Sequence, residues 1–174
     1  MTMNMRAVVT AVMIFVLGLA AGVAYAKRIE TSAYKGKSKK EAALALLQEA
    51  KRQAGKGSWE RIAVGRIYYL SGMKKEGQEI FDSVLSRKPE ASDLFRIARV
   101  YYQANEWTRA KELFEQYVAK SPKDDKGLAE IGAYYLLKGD RARAEELFEK
   151  SFRLEDELWA TVNAAGAYVG IPPE

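Results

Sequence analysis

The sequence predicts an all-α fold built as a solenoid of antiparallel helix hairpins. Three windows, of 33 or 34 residues each, begin at Ser58, Ala91 and Asp125 and repeat one order of small, aromatic and proline residues. Apolar residues recur at helical spacing along these windows, and no segment shows the alternation of a strand. A chain of 174 residues is long enough for one such domain. We therefore expect stacked hairpins that share a single core.

The first 26 residues have the composition of a targeting segment. Arg6 is their only charged side chain, and residues 7–26 form an uncharged apolar stretch. The end of this stretch, Ala24-Tyr25-Ala26, fits a signal-peptidase site and predicts an exported, periplasmic or secreted chain that begins at Lys27. Twenty residues at about 1.5 Å each would also cross a bilayer, so a single-pass membrane anchor stays open. Because the basic residues after the stretch outnumber those before it, an anchored chain would keep its repeats in the cytoplasm.

Residues 27–37 are predicted to form a polar linker before the folded part. The four lysines between residues 35 and 40 are interpreted as a solvated basic cluster, with contact to anionic lipids as the alternative. Ser38 and Glu41 have the spacing of a capping box, in which each side chain accepts a hydrogen bond from the other residue's amide. The sequence therefore predicts a helix over residues 38–53.

Each window carries the same residue type at the same place. The eighth place is small, the eleventh is tyrosine, the twentieth is small and the twenty-fourth is phenylalanine. In window order these residues are Gly65, Ala98 and Gly132; Tyr68, Tyr101 and Tyr135; Gly77, Ala110 and Ala144; and Phe81, Phe114 and Phe148. Pro89 and Pro122 stand at the thirty-second place of the first two windows. Over residues 58–156 this order resembles the tetratricopeptide repeat family.

A physical reason supports each place. Small residues let the two helices of a hairpin approach closely, and aromatic residues fill the space between successive hairpins. Proline ends the second helix because it lacks an amide donor and clashes with the preceding turn. Gly72, Asn105 and Gly139 fall where the tight turn inside each hairpin should lie.

The resemblance implies a short right-handed superhelix of hairpins with terminal capping helices. The predicted domain comprises residues 38–170 and precedes a tail at 171–174. Within it, the repeats are predicted at residues 58–90, 91–124 and 125–157. The flanking helices are predicted at residues 38–53 and 158–168. At the fourth place tryptophan is usual in the family, whereas this chain has Arg61, Leu94 and Leu128. Arginine at this place predicts that the first hairpin begins partly exposed or packs unusually against the preceding helix.

The resemblance also implies that the first helices of the hairpins line a concave face that holds a peptide or a partner helix. On this face the sequence predicts a partner-binding set of arginines and aromatics: Trp59, Arg66, Tyr69, Phe95, Arg96, Arg99 and Tyr102. The arginines would pair with carboxylates of the partner, and the aromatics would be apolar anchors. The alternative is that the arginines are solvated and the aromatics pack between hairpins.

The composition excludes several kinds of chemistry. The chain has no histidine and no cysteine, so it lacks the commonest metal ligands, a thiolate nucleophile and the usual proton-transfer side chain. The net charge is +5, and the basic residues are interspersed with acidic residues along the helices. No nucleic-acid-binding motif occurs. The sequence therefore predicts no catalytic residue, no metal and no cofactor.

Two functions lead, and an enzyme built on carboxylates stays open as a third. The first is a protein-interaction scaffold outside the cytoplasm that binds a partner segment, possessing acidic groups, on the concave face. The second is a membrane-tethered structural or assembly subunit, held through residues 7–26, that self-associates or joins a membrane complex.

Overall fold

The computed structural model describes residues 29–173. After a 3₁₀ turn at Thr31–Ala33 it contains α1 (Lys39–Ala54), α2 (Ser58–Leu70), α3 (Lys74–Leu85), α4 (Ala91–Gln103), α5 (Trp107–Lys120), α6 (Asp125–Leu137), α7 (Arg141–Leu154) and α8 (Leu158–Tyr168). No strand occurs within this range, which confirms the all-α fold. The predicted targeting segment, residues 1–26, lies outside the described residues. Between residues 29 and 173 no helix combines the length and the hydrophobicity that a membrane crossing requires.

The chain divides into two compact units at residue 46, and the first holds the linker and the start of α1. The predicted linker is not wholly irregular, because its Thr31–Ala33 segment forms one turn of 3₁₀ helix. The capping box is present as predicted. The Ser38 amide donates to the Glu41 carboxylate at 3.0 Å, and the Glu41 amide donates to the Ser38 hydroxyl at 3.3 Å.

The second unit, from Leu47 onward, contains the three predicted hairpins. Helices α2 and α3, α4 and α5, and α6 and α7 pack as pairs, and α8 packs against α6. Each hairpin turns at a residue in the left-handed region, with φ of 91° at Gly72, 59° at Asn105 and 85° at Gly139. This conformation ends a helix within one residue, and glycine and asparagine adopt it at low cost.

Small residues allow close packing inside each hairpin. A Cβ atom added to Gly77 would lie 2.8 Å from the carbonyl oxygen of Gly65, so the α2 and α3 backbones could not approach as they do with larger residues. Ala98, Ala110 and Ala144 occupy the corresponding places in the other hairpins with no solvent exposure. The structure thus confirms the reason for small residues at the eighth and twentieth places.

Aromatic side chains join successive hairpins. The Phe81 ring of the first hairpin meets Tyr101 of the second edge-on, with ring centroids 5.8 Å apart. Phe114 of the second hairpin stacks on Tyr134 of the third at 5.2 Å. These contacts place the core along the whole row of hairpins, and they orient the first helices α2, α4, α6 and α8, whose side chains form the candidate site.

Candidate functional site

A cavity of about 280 Å³ lies on the face of α2 and α4 that was predicted to be concave. We call it the arginine pocket. Its lining comprises Trp59, Ile62, Ala63, Arg66, Arg96, Arg99, Val100 and Gln103. Four of the seven predicted binding residues are therefore brought together: one tryptophan and all three arginines.

Two of the three arginines of this pocket are held by neutral groups. The Arg96 guanidinium lies over the Trp59 ring, 3.9 Å from its centroid, and the Trp59 indole N–H donates to the Ser92 hydroxyl at 3.4 Å. The Nε of Arg66 donates to the Gln103 side-chain oxygen at 3.0 Å. Among the described residues neither Arg66 nor Arg96 forms an ion pair with a carboxylate. Both guanidinium groups are thus positioned and still have donors to offer an anion.

Arg99 differs from the other two arginines because it has an acidic neighbour. Its guanidinium lies 3.6 Å from an oxygen of Glu130 on α6. Burial raises the pKa of the Glu130 carboxyl above its ordinary value, and the nearby charge of Arg99 opposes part of that shift. An acidic ligand in the arginine pocket would therefore compete with Glu130 for Arg99.

The predicted aromatic anchors are used mainly for packing. Tyr69 is only 2% exposed, and its ring lies 5.5 Å from those of Phe81 and Tyr101, so its prediction as a surface anchor is corrected. Phe95 and Tyr102 are half-buried. The Phe95 ring lies 5.2 Å from that of Tyr117, and the Tyr102 ring lies 4.6 Å from that of Tyr134. The Phe95 ring is covered by the second helix of its own hairpin, and the Tyr102 ring is covered by the next hairpin.

A second cavity, of about 770 Å³, lies where α6, α8 and the C-terminal residues meet. We call it the apolar pocket. Its lining comprises Lys126, Glu130, Trp159, Val162, Asn163, Ala165, Gly166, Val169, Ile171, Pro172 and Pro173. Trp159 is 61% exposed and Val169 is 73% exposed, although both side chains are apolar. Sequence reasoning treated α8 as a cap and missed this pocket.

A signal for the apolar pocket was present in the repeat register. Counted from Leu158, the second, fifth and twelfth places of α8 are Trp159, Val162 and Val169, and in the first hairpin these places hold predicted binding-face residues such as Trp59. The opposite side of α8 covers α6 as a cap should, with Ala160, Ala164 and Ala167 buried. One side of α8 therefore covers α6, and the other carries exposed apolar side chains.

A polar network attaches the first hairpin to the second. The Glu106 carboxylate accepts hydrogen bonds from the Tyr69 hydroxyl at 2.7 Å, from the Lys74 ammonium at 2.6 Å and from Arg109 at 3.2 Å. Burial alone would raise the pKa of Glu106, but these donors hold it below its ordinary value. The network explains why Tyr69 is buried with its polar end satisfied.

Over residues 29–173 no cluster of acidic side chains has the composition of a metal site.

Residues 94–124, which span most of α4 and α5, match the family model of the tetratricopeptide repeat. This segment is therefore similar to a tetratricopeptide repeat. A comparison with curated proteins gives no match to the chain. Tetratricopeptide repeats are scaffolds for protein–protein interaction, and the hairpins on either side of this repeat place the same residue types at the same helix contacts.

Proposed function

We propose that the chain is an interaction scaffold that binds an extended acidic segment of a partner protein along the first helices of its repeats. One observation carries the proposal: Arg66 and Arg96 are fixed in one pocket, and within the described residues no carboxylate pairs with them. A carboxylate from a partner would form charge-assisted hydrogen bonds with these groups, which are among the stronger polar contacts in interfaces.

The apolar pocket is a second anchor for the same partner segment. Arg99 lines the arginine pocket, Glu130 lines the apolar pocket, and the two side chains are 3.6 Å apart, so the pockets are neighbours along this face. A segment with an acidic residue at one end and an apolar residue at the other would fill both. The acidic residue of the segment would lie in the pocket at α2 and α4, which is cationic. The apolar residue would lie in the pocket at α8, which is apolar.

Selection from a random peptide library tests this proposal. Peptides that bind the full chain are expected to contain an acidic residue and, at a constant spacing, an aliphatic or aromatic residue. Charge reversal at both arginines, Arg66→Glu with Arg96→Glu, should abolish binding of the selected peptides in fluorescence anisotropy. Lys75→Glu, a charge reversal on the exposed side of α3, should leave their affinity unchanged. Equal binding by the double variant and the wild type would show that the arginine pocket is not the site.

We further propose that the scaffold acts outside the cytoplasm, after cleavage behind Ala26. The Ala24-Tyr25-Ala26 pattern supports cleavage, and the uncharged residues 7–26 would serve as an anchor if cleavage does not occur. Intact mass of the protein from soluble and membrane fractions separates the two. A soluble species that begins at Lys27 supports export, and a full-length species in the membrane supports tethering.

A second candidate function is a subunit that assembles with copies of itself or with a membrane complex. The exposed apolar side chains of α8 favour it, since Leu158 is 67% exposed and Trp159 is 61% exposed. This function predicts concentration-dependent association in analytical ultracentrifugation, and Trp159→Asp should abolish that association. A chain that stays monomeric as its concentration is raised would contradict self-association and favour the interaction scaffold.

A further inference from the structure

A separate cavity, of about 280 Å³, is lined by basic side chains and by no acidic ones. Four cations surround it: Lys51 and Lys56 from α1 and the following loop, Arg61 from α2, and Arg87 from the end of α3. Ala54, Val64 and Ile80 form its apolar wall, and all three are buried. We call this cavity the basic pocket.

The basic pocket exists because of the residue at the fourth place. In the second and third hairpins this place holds Leu94 and Leu128, which are 3% and 0% exposed and fill the space against the preceding helix. In the first hairpin it holds Arg61, which is half-buried and donates to the Ser83 hydroxyl. Because the guanidinium turns towards Ser83, the space that leucine fills in the other hairpins is left as a cavity.

The cations are concentrated where α1 meets the first hairpin. They are not concentrated where one hairpin meets the next. In the repeat register Lys51 corresponds to Leu85 and Val118, and Lys56 corresponds to Glu90 and Lys123. Just before the second and the third hairpin, these two places therefore hold at most one cation. The basic charge of the first junction is a local feature and not a property of the repeat.

Lys51, Lys56, Arg61 and Arg87 have no carboxylate partner within the described residues. Like charges around one small cavity repel each other, and a bound anion would relieve this repulsion. A neighbouring cavity adds Lys88 and also contains Glu90 and Asp93, but these two acids cap α4 through hydrogen bonds with each other's amides. One buried oxygen of Asp93 has no hydrogen-bond partner, but within the described residues no ion pair joins it to the four cations, which are left for a ligand.

We propose that the basic pocket binds the phosphate group of a small phosphate ester. A phosphate monoester carries about −1.5 to −2 charges at neutral pH, which suits four surrounding cations better than a single carboxylate does. Arginine pairs with phosphate oxygens through two parallel hydrogen bonds, and lysine adds a mobile point charge. A volume near 280 Å³ is at the lower end for ligand pockets, so a headgroup-sized molecule fits and a nucleotide does not.

The apolar wall indicates which phosphates fit best. Val64 and Ile80 would contact carbon atoms of the ligand, so an organic phosphate should bind more tightly than inorganic phosphate. Glycerol 3-phosphate has this chemistry as a free ester, and the same phosphate monoester is the headgroup of phosphatidic acid. The two sources share one binding chemistry, and the experiment separates them.

The test is a titration of the full chain in neutral detergent micelles with glycerol 3-phosphate, followed through the side-chain Nε signals of arginine in NMR spectra. Saturable shifts of the Arg61 and Arg87 signals are expected, and inorganic phosphate should give weaker binding at the same signals. Arg61→Leu introduces the residue of the other hairpins and should weaken binding about tenfold or more, the loss of one charged hydrogen-bonding partner.

Arg87→Ala gives a second variant at an exposed site, and Lys120→Ala is its matched control because Lys120 holds the same place in the second hairpin. We expect about tenfold weaker binding for Arg87→Ala and unchanged binding for Lys120→Ala. Displacement of glycerol 3-phosphate by phosphatidic acid added to the micelles would identify the lipid headgroup as the source, and lack of displacement would identify the free ester. Shifts that never saturate, or that persist in both arginine variants, would overturn the proposal.

Discussion

The first and third hairpins share their inner contacts and differ at the places around them. A Cβ atom added to Gly65 would lie 2.7 Å from the Phe81 ring, and one added to Gly132 would lie 2.7 Å from the Phe148 ring. The fourth place, by contrast, is a half-buried Arg61 in one hairpin and a fully buried Leu128 in the other. The pairing of a small residue with phenylalanine therefore defines the hairpin, whereas the fourth place can change without loss of the fold and decides whether a cavity forms.

The largest expected effect on the free energy of unfolding comes from truncation to alanine at the fourth place, which we compare between the first and third hairpins. Leu128→Ala should lower the free energy of unfolding by about 2–5 kcal/mol, because it removes a fully buried side chain and leaves a cavity. Arg61→Ala should cost less than about 1 kcal/mol, since it removes a half-buried side chain that already borders a cavity. Urea denaturation followed by circular dichroism measures both.

Leu94→Ala is the control for this comparison, because Leu94 holds the same place in the second hairpin and is 3% exposed. Its cost should match that of Leu128→Ala. A loss at Arg61 as large as that at Leu128 would mean that Arg61 is a core residue, and it would remove the physical basis for the basic pocket.

The comparison also explains which features the sequence could predict. Residues that repeat at each place, such as Gly65 and Phe81, report contacts inside one hairpin, and the structure confirms them. The exposure of Tyr69 depends on its packing against Tyr101 of the next hairpin and on Glu106 beyond it, so its position on α2 alone could not reveal its burial. Burial of this kind depends on side chains that are distant in sequence.

The apolar pocket escaped prediction for a different reason. The sequence predicts α8 as a terminal capping helix, a role that requires only one of its sides to be buried. A helix presents several sides, and α8 is covered on one of them and exposed on another. The basic pocket was missed in part: Arg61 was recognised as unusual, but the approach of Arg87 to it needed the folded hairpin.

The next effect is expected at the eighth place, where the first and third hairpins are alike. Gly65→Ala and Gly132→Ala should both destabilise the fold, because each added Cβ meets a phenylalanine ring that is at most 4% exposed and cannot move away. Overpacking costs about 1–3 kcal/mol, which exceeds the gain of about 1 kcal/mol in helix propensity. Thermal denaturation should show similar losses for the two variants.

Ala98 provides the internal control, since the second hairpin accommodates an alanine at this place with no exposure. Ala98→Gly should cost about 1 kcal/mol from helix propensity and show no relief of overpacking. Stabilisation by Gly132→Ala would indicate that the third hairpin tolerates the spacing of the second, and the small residue would then not be a requirement of the closest helix contacts.

The smallest effect concerns the polar contacts that attach the first and third hairpins to the second hairpin. Glu106 joins the first hairpin through Tyr69 and Lys74, and Glu115 joins the third through Tyr135 and Arg143. Hydrogen-bond donors hold the pKa of both carboxyls below its ordinary value, against the effect of burial. Each attachment should therefore be sensitive to acid.

The sign of this dependence follows from the lowered pKa of Glu106. A carboxyl whose pKa is lower in the folded chain contributes stability that is fully present above its unfolded pKa, near 4.3, and is lost as the pH falls through the folded pKa. At neutral pH Glu106→Gln should cost on the order of 1 kcal/mol, and below about pH 4 the difference from the wild type should shrink. Glu112→Gln, an exposed site on the same helix as Glu115, should show no such change. A difference for Glu106→Gln that stays constant from pH 7 to acid would mean that its hydrogen bonds do not depend on its charge.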